Sequence, residues 1–162
     1  MRRIANVQAH EPSKLTVTWR DGGVDTIDLA GVIAGFEPFA PLRDFALFGT
    51  ATVVGHGSGI EWENGLNYSA DSLECVAEEQ RVQTGEDFKA WQKSFDLSLQ
   101  ETADLFGVAV TTVKAYRKLD VLPVAVRIAC SAMKREKDVF LAHYRPRTNG
   151  RPKKKGHVAA AE

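Results

Sequence analysis

The residue types able to do chemistry in this chain are spaced for contact and not for turnover. His10, His56, His143 and His157 are scattered, and none has a second ligand four residues away, so no zinc or iron site is expected. Gly55-His56-Gly57-Ser58-Gly59 has neither the glycine and serine spacing of a nucleophile elbow nor the Gly-Lys-Ser/Thr ending of a phosphate loop, and reads as a flexible hairpin loop. Glu61, Glu63 and Asp71 could pair for acid–base work, yet on an exposed hairpin they read as solvated carboxylates. No catalytic residue, metal or cofactor is expected.

A different chemistry is carried by residues 100–118. Ala103 precedes Gly107 by four residues and Val113 follows it by six, with Phe106 and Val108 on either side of the glycine. A small residue at 103 lets a second helix cross the first closely, and the glycine makes the sharp turn. Phe106, Val108, Val113 and Tyr116 then pack beneath. The other side of the second helix is left free to enter a major groove. Farther on, Arg145, Arg147, Arg151, Lys153, Lys154 and Lys155 make a basic run with too little apolar content for a core. A disordered tail that gains affinity by releasing counterions from phosphate is expected there, a broken version of the minor-groove Arg-Gly-Arg-Pro hook.

The elements that would position these residues fall into two sets. Lys14 to Arg20 alternates apolar Leu15, Val17 and Trp19 with polar neighbours, and Asp21-Gly22-Gly23 leads into a second alternating run, Val24 to Leu29, which is a β-hairpin signal. Thr50 to Val54 and Ile60 to Trp62 read as short strands, with Trp19 and Trp62 as core. One or two helical turns are expected over 41–48, and Ser69 reads as the N-cap of a helix through Leu73 and Val76.

From Thr84 the pattern turns helical. Phe88, Trp91 and Phe95 recur at helical spacing, and Ser98-Leu99-Gln100-Glu101 is a capping box opening a helix that Gly107 ends. A third helix is expected from about Val110 to Lys118 and a fourth from Pro123 to Lys134, with Pro123 at its first position. The expected fold class is α+β: a small N-terminal antiparallel sheet with short helices, residues 1–79, then a linker at 80–85. An all-α domain follows at 86–142, and a basic tail at 143–162.

Composition agrees with two units of different purpose. Hydrophobic residues are 44% and charged residues 26%, within the range of folded soluble domains. The zero net charge conceals 6 Lys/Arg against 12 Asp/Glu in residues 1–82 and 15 against 9 in residues 83–162. The second half is therefore the candidate for a polyanionic partner. Cys75 and Cys130 lie far apart without a partner motif, so no disulfide framework is expected, and reduced thiols in a cytosol are the default reading. No apolar run follows Arg2-Arg3, and the most apolar stretch is broken by charges and prolines, so neither export nor a membrane span is expected.

On the stretch QETADLFGVAVTTVKAY, residues 84–135 resemble the helix-turn-helix domains of the phage-repressor class, lambda repressor and Cro-like. The resemblance implies that Ala109, Val110, Thr111 and Lys114 face the groove, with Val110, Thr111 and Lys114 reading base edges, that Gln100 and Lys118 meet phosphates, and that Arg117 reaches the backbone. Ala109 stands where that class usually has a capping Ser or Thr. It further implies a cytoplasmic, nucleoid-associated transcriptional repressor that binds double-stranded DNA as a homodimer.

Residues 4–77 resemble the bacterial domain of unknown function 2442, on TVTWRDGGVDTIDL, the segment Pro41 to Phe48 and IEWENGLNYSADSL. Members of that family often look like partners of small neighbouring proteins, which implies dimerisation or partner binding for the first domain. The alternative for the whole chain is an antitoxin-like interaction module that binds a small protein and at most autoregulates.

Overall fold

The computed structural model describes residues 2–147. The chain forms two compact units that divide between Arg81 and Val82. Together they contain two small antiparallel sheets of three strands each and eight α-helices among the described residues. None of the helices among those residues is long and apolar enough to cross a membrane.

In the first unit, β1 (Ile4–His10), β2 (Lys14–Trp19) and β3 (Val24–Asp28) pair in sequence order. β2 buries Leu15, Val17 and Trp19 on one face and turns its threonines to the other, as strand period two requires. β1 escapes the sequence pattern because a register shift between Ile4 and Asn6 breaks its alternation. A second sheet joins β4 (Thr52–Val54), β5 (Gly59–Glu61) and β6 (Asn67–Ser69). Between the sheets run α1 (Ala30–Gly35), a three-ten segment Glu37–Arg43 and α2 (Phe45–Phe48). The helical turns expected over 41–48 thus begin earlier in the chain.

Ser69 caps α3 (Ala70–Gln80), accepting from the Ser72 amide. The core joins Trp19, Trp62, Phe48, Ile27, Leu42, Ile60 and Leu73. Both indole N–H groups are satisfied: Trp19 donates to Asp25 at 2.7 Å and Trp62 to the Phe48 carbonyl at 3.0 Å. The hairpin loop expected over 55–59 does join the antiparallel strands β4 and β5; its connection is a three-ten turn at Gly55–Gly57, and Gly59 already belongs to β5. Gly57 has φ +88°, and a Cβ there would lie 2.4 Å from the Ile4 carbonyl oxygen, so close backbone contact with β1 is what demands glycine.

The second unit contains α4 (Gly85–Ser94), α5 (Leu99–Phe106), α6 (Val110–Tyr116), α7 (Val124–Arg135) and α8 (Lys137–His143). Phe88, Trp91, Ala103, Val113, Leu122, Val126, Cys130 and Met133 form its core. α4 opens one residue before its expected start, through a capping box in which Thr84 and Asp87 exchange hydrogen bonds. Residues 80–85, read as a linker, accordingly include the end of α3 and the start of α4. Gly85 is buried, donates to the Leu119 carbonyl at 2.7 Å, and approaches the Arg117 backbone so closely that a Cβ would lie 2.5 Å from it. The start of α4 is thereby pressed against the end of α6. Pro123 precedes α7 as its cap residue, with extended ψ, and does not occupy the first helical position expected for it. α8 was not anticipated, because the residues before Phe140 are mostly charged and exposed.

Candidate nucleic-acid interface

α5 and α6 are joined by a turn of three residues whose geometry follows from the sequence. Ser98 and Glu101 form the capping box that starts α5, with Ser98 N donating to Glu101 Oε2 at 2.9 Å and Glu101 N to Ser98 Oγ at 3.1 Å. Gly107 sits at φ +65°, ψ +33°, a left-handed conformation that glycine adopts without a Cβ penalty. The Val108 amide then donates to the Ala103 carbonyl at 2.9 Å, the six-to-one bond of a Schellman close. Ala103 is buried where the two helices meet, and Val113 of α6 is fully buried. Gln92 donates to Thr102 Oγ1 at 2.6 Å, and Thr102 donates to the Ser98 carbonyl at 2.8 Å, so the buried polar groups of α5 are bonded.

With Val113 pointing into the core, helical geometry turns Thr111 about 200° from it and Lys114 about 100°, so Thr111 lies opposite the core and Lys114, three residues on, flanks it. Both are exposed, as is Ala109, which precedes α6 without a side-chain capping bond. Val110 is half-buried and packs against the second core, and Tyr116 does the same. Arg117 is half-buried at the end of α6, while Lys118 is exposed just beyond it. Gln100 is exposed on the first turn of α5 and donates to Asp104 at 3.1 Å. The structure therefore gathers Gln100, Ala109, Thr111, Lys114 and Lys118 as exposed side chains of one helix pair, with Val110 and Arg117 at its margins.

The expected basic tail behaves differently where it is described. Arg145 donates to the carbonyls of Ala142 and Tyr144 at 3.1 and 2.8 Å. Arg147 forks onto both oxygens of Asp104 at 2.6 and 3.1 Å. Residues 144–147 thus lie against α5 and do not form a structureless start to the tail. The other basic residues, Arg151, Lys153, Lys154 and Lys155, lie outside the described residues, as does His157.

Sequence reasoning missed the second use of Glu101. Besides capping α5, it accepts from the Tyr144 hydroxyl at 3.0 Å and from the Arg147 amide at 3.3 Å, both on Oε1. Burial pushes this carboxyl up, but the bonds from Ser98, Tyr144 and Arg147 outweigh burial and hold it at about 2. Asp104 is lowered by the Arg147 guanidinium and by Gln100. The pairing needs a contact across 43 residues, which no local signal encodes. Among the described residues, no group of three His, Cys, Asp or Glu side chains could hold a metal ion.

Comparison with known proteins bears mainly on the first unit. No curated protein matches the chain. The crystal structure of a Nitrosomonas europaea protein described as a "putative DNA binding protein" superposes with a TM-score of 0.48 at 24% identity, covering 91% of this chain and 95% of that one. A likeness at that level carries no argument about either unit. Residues 4–75 match the family model described as "Protein of unknown function (DUF2442)", a match that spans both sheets and the first turn and a half of α3.

Proposed function

We propose that the second unit is a DNA-binding helix-turn-helix domain of the phage-repressor type and that the protein acts as a transcriptional regulator, by binding and without catalysis. The observation that carries this reading is the helix pair itself. A left-handed glycine and a buried alanine bring α5 and α6 together, one side of α6 is fixed in the core by Val113, and the helix presents Thr111 and Lys114 to solvent. In this reading α6 enters the major groove. Thr111 and Lys114, flanked by Ala109 and Val110, meet base edges, and Gln100, Arg117 and Lys118 meet the phosphate backbone. Repression through two half-sites calls for a homodimer. In this reading the first unit serves dimerisation or partner binding.

The test is a fluorescence-polarisation titration of the protein against the duplex upstream of its own gene and against a scrambled duplex, at several salt concentrations. Tighter binding to the upstream duplex, with Lys114→Ala weakening that preference more than it weakens binding to the scrambled duplex, is the expected result. Absence of binding to both duplexes overturns the proposal in favour of an antitoxin-like module whose first unit holds a small protein, a reading that co-purification of a stoichiometric partner would then support.

A further inference from the structure

The chain after α8 returns to α5 and is held there at two neighbouring carboxylates. Tyr144 and the Arg147 amide share Glu101 Oε1, and Glu101 is only 2% exposed, so the backbone of residue 147 is fixed on a buried acceptor. The Tyr144 ring stacks on Phe140 at 4.9 Å between centroids, and Phe140 meets Phe95 at 4.6 Å, which ties the returning segment to the second core. With its backbone placed in this way, Arg147 extends its side chain to Asp104, one turn beyond Gln100 on α5.

The form of that ion pair leaves half of the guanidinium unused. Arg147 Nε donates to Asp104 Oδ2 at 2.6 Å and Nη2 to Oδ1 at 3.1 Å, a side-on fork. A guanidinium carries donors along two edges, and this fork takes the Nε edge. The Nη1–Nη2 edge points away from the carboxylate, and among the described residues no acceptor meets it. The side chain is 54% exposed, so a ligand can reach that edge. Its donors match two oxygens of one phosphate, which a guanidinium binds in the same forked way. Asp104 also accepts from Gln100 at 3.1 Å, so one carboxylate orients two donors on the flank of α5 that carries the proposed Gln100 phosphate contact.

We propose that Arg147 is a further phosphate contact of the DNA-binding unit, made through its Nη1–Nη2 edge, and that Asp104 is the positioning residue that orients it. The inference rests on the DNA-binding reading above and deepens it. A carboxylate facing DNA ordinarily weakens binding, because it repels phosphate. Removal of Asp104 has the opposite sign, since losing the orientation of a forked cation outweighs losing the repulsion.

The experiment measures fluorescence-polarisation binding of the full chain to the upstream and scrambled duplexes over a range of salt. Wild type is compared with Asp104→Ala, Arg147→Ala, Arg147→Lys and the double variant Asp104→Ala/Arg147→Ala, and circular dichroism confirms that each is folded. Arg147→Ala should weaken binding to both duplexes about tenfold and flatten the log–log salt slope by about 0.9, as loss of one phosphate contact requires. Arg147→Lys keeps the charge without the fork and should remain at least about threefold weaker than wild type. Asp104→Ala should weaken binding about threefold in the native chain, yet leave it unchanged or tighter in the Arg147→Ala background, where the carboxylate has no cation to orient. A merely structural role for the pair would move both Asp104 results in the same direction. Equal weakening in the two backgrounds, tighter binding by Asp104→Ala in the native chain, or an unchanged salt slope for Arg147→Ala overturns the proposal. The helix-turn-helix reading survives those outcomes if Lys114→Ala still lowers the preference for the upstream duplex. Failure of the full chain to bind either duplex overturns both.

Discussion

Replacement of Glu101 by glutamine isolates the most connected polar group of the second unit. The carboxylate accepts from Ser98 on one oxygen and from Tyr144 and Arg147 on the other, so both oxygens act only as acceptors. Glutamine has one acceptor and one donor end. If its oxygen serves Ser98, its amide faces the Arg147 N–H donor; if it turns, the capping bond is lost. The tyrosine can rotate its hydroxyl to accept, but a backbone amide cannot. Hydrogen bonds to a charged group contribute roughly 1.5–3 kcal/mol each, and a carboxyl held at about 2 when folded against 4.5 unfolded contributes about 3 kcal/mol near neutral pH.

A loss of about 3 kcal/mol is therefore expected for Glu101→Gln at pH 7, a fall in Tm on the order of 10–20 °C for a unit of this size. The pH dependence gives the prediction its edge. Because the folded value is depressed, the stabilisation is complete above the unfolded value of 4.5 and is lost as pH falls toward 2. The difference between wild type and variant should shrink over that window, since a protonated Glu101 resembles glutamine. Scanning calorimetry of the full chain between pH 7 and 2.5 measures it. A difference below about 0.5 kcal/mol at neutral pH, or one that stays constant across the window, would refute the assignment of Glu101 as a charged hub.

Two glycine substitutions should part company. Gly107→Ala introduces a left-handed alanine with nothing within 4 Å of the new Cβ, so a loss of about 1 kcal/mol is expected in urea unfolding. Gly57→Ala adds to its left-handed φ a contact of 2.4 Å with the Ile4 carbonyl, and should cost at least twice as much or prevent the first unit from folding. Equal losses would count against the close approach of that turn to β1. Cysteine labelling offers a further check. Cys75 is exposed, whereas Cys130 is buried and burial pushes its thiol up to about 12. Iodoacetamide at pH 8 should modify one thiol in the native protein and both in urea, as read by mass spectrometry. Rapid native modification of Cys130 would contradict the packing of α7.

The sequence alone determined those features whose causes are local. The alternation of Leu15, Val17 and Trp19, the caps at Ser69 and Ser98 and the left-handed turn at Gly107 are each dictated by neighbours within a few residues, and each is legible before any fold is known. The spacing of Ala103, Gly107 and Val113 likewise marks two helices meeting at a sharp turn. Tertiary structure decided the rest. β1 is a strand because β2 pairs with it despite a register shift, and Gly57 and Gly85 are glycines because distant backbone comes within a Cβ of them. Arg147, read from its composition as part of a disordered basic tail, is held against α5 by Asp104, 43 residues earlier in the chain. Burial, register and long-range ion pairing depend on which surfaces the chain brings together, and local spacing carries no record of that.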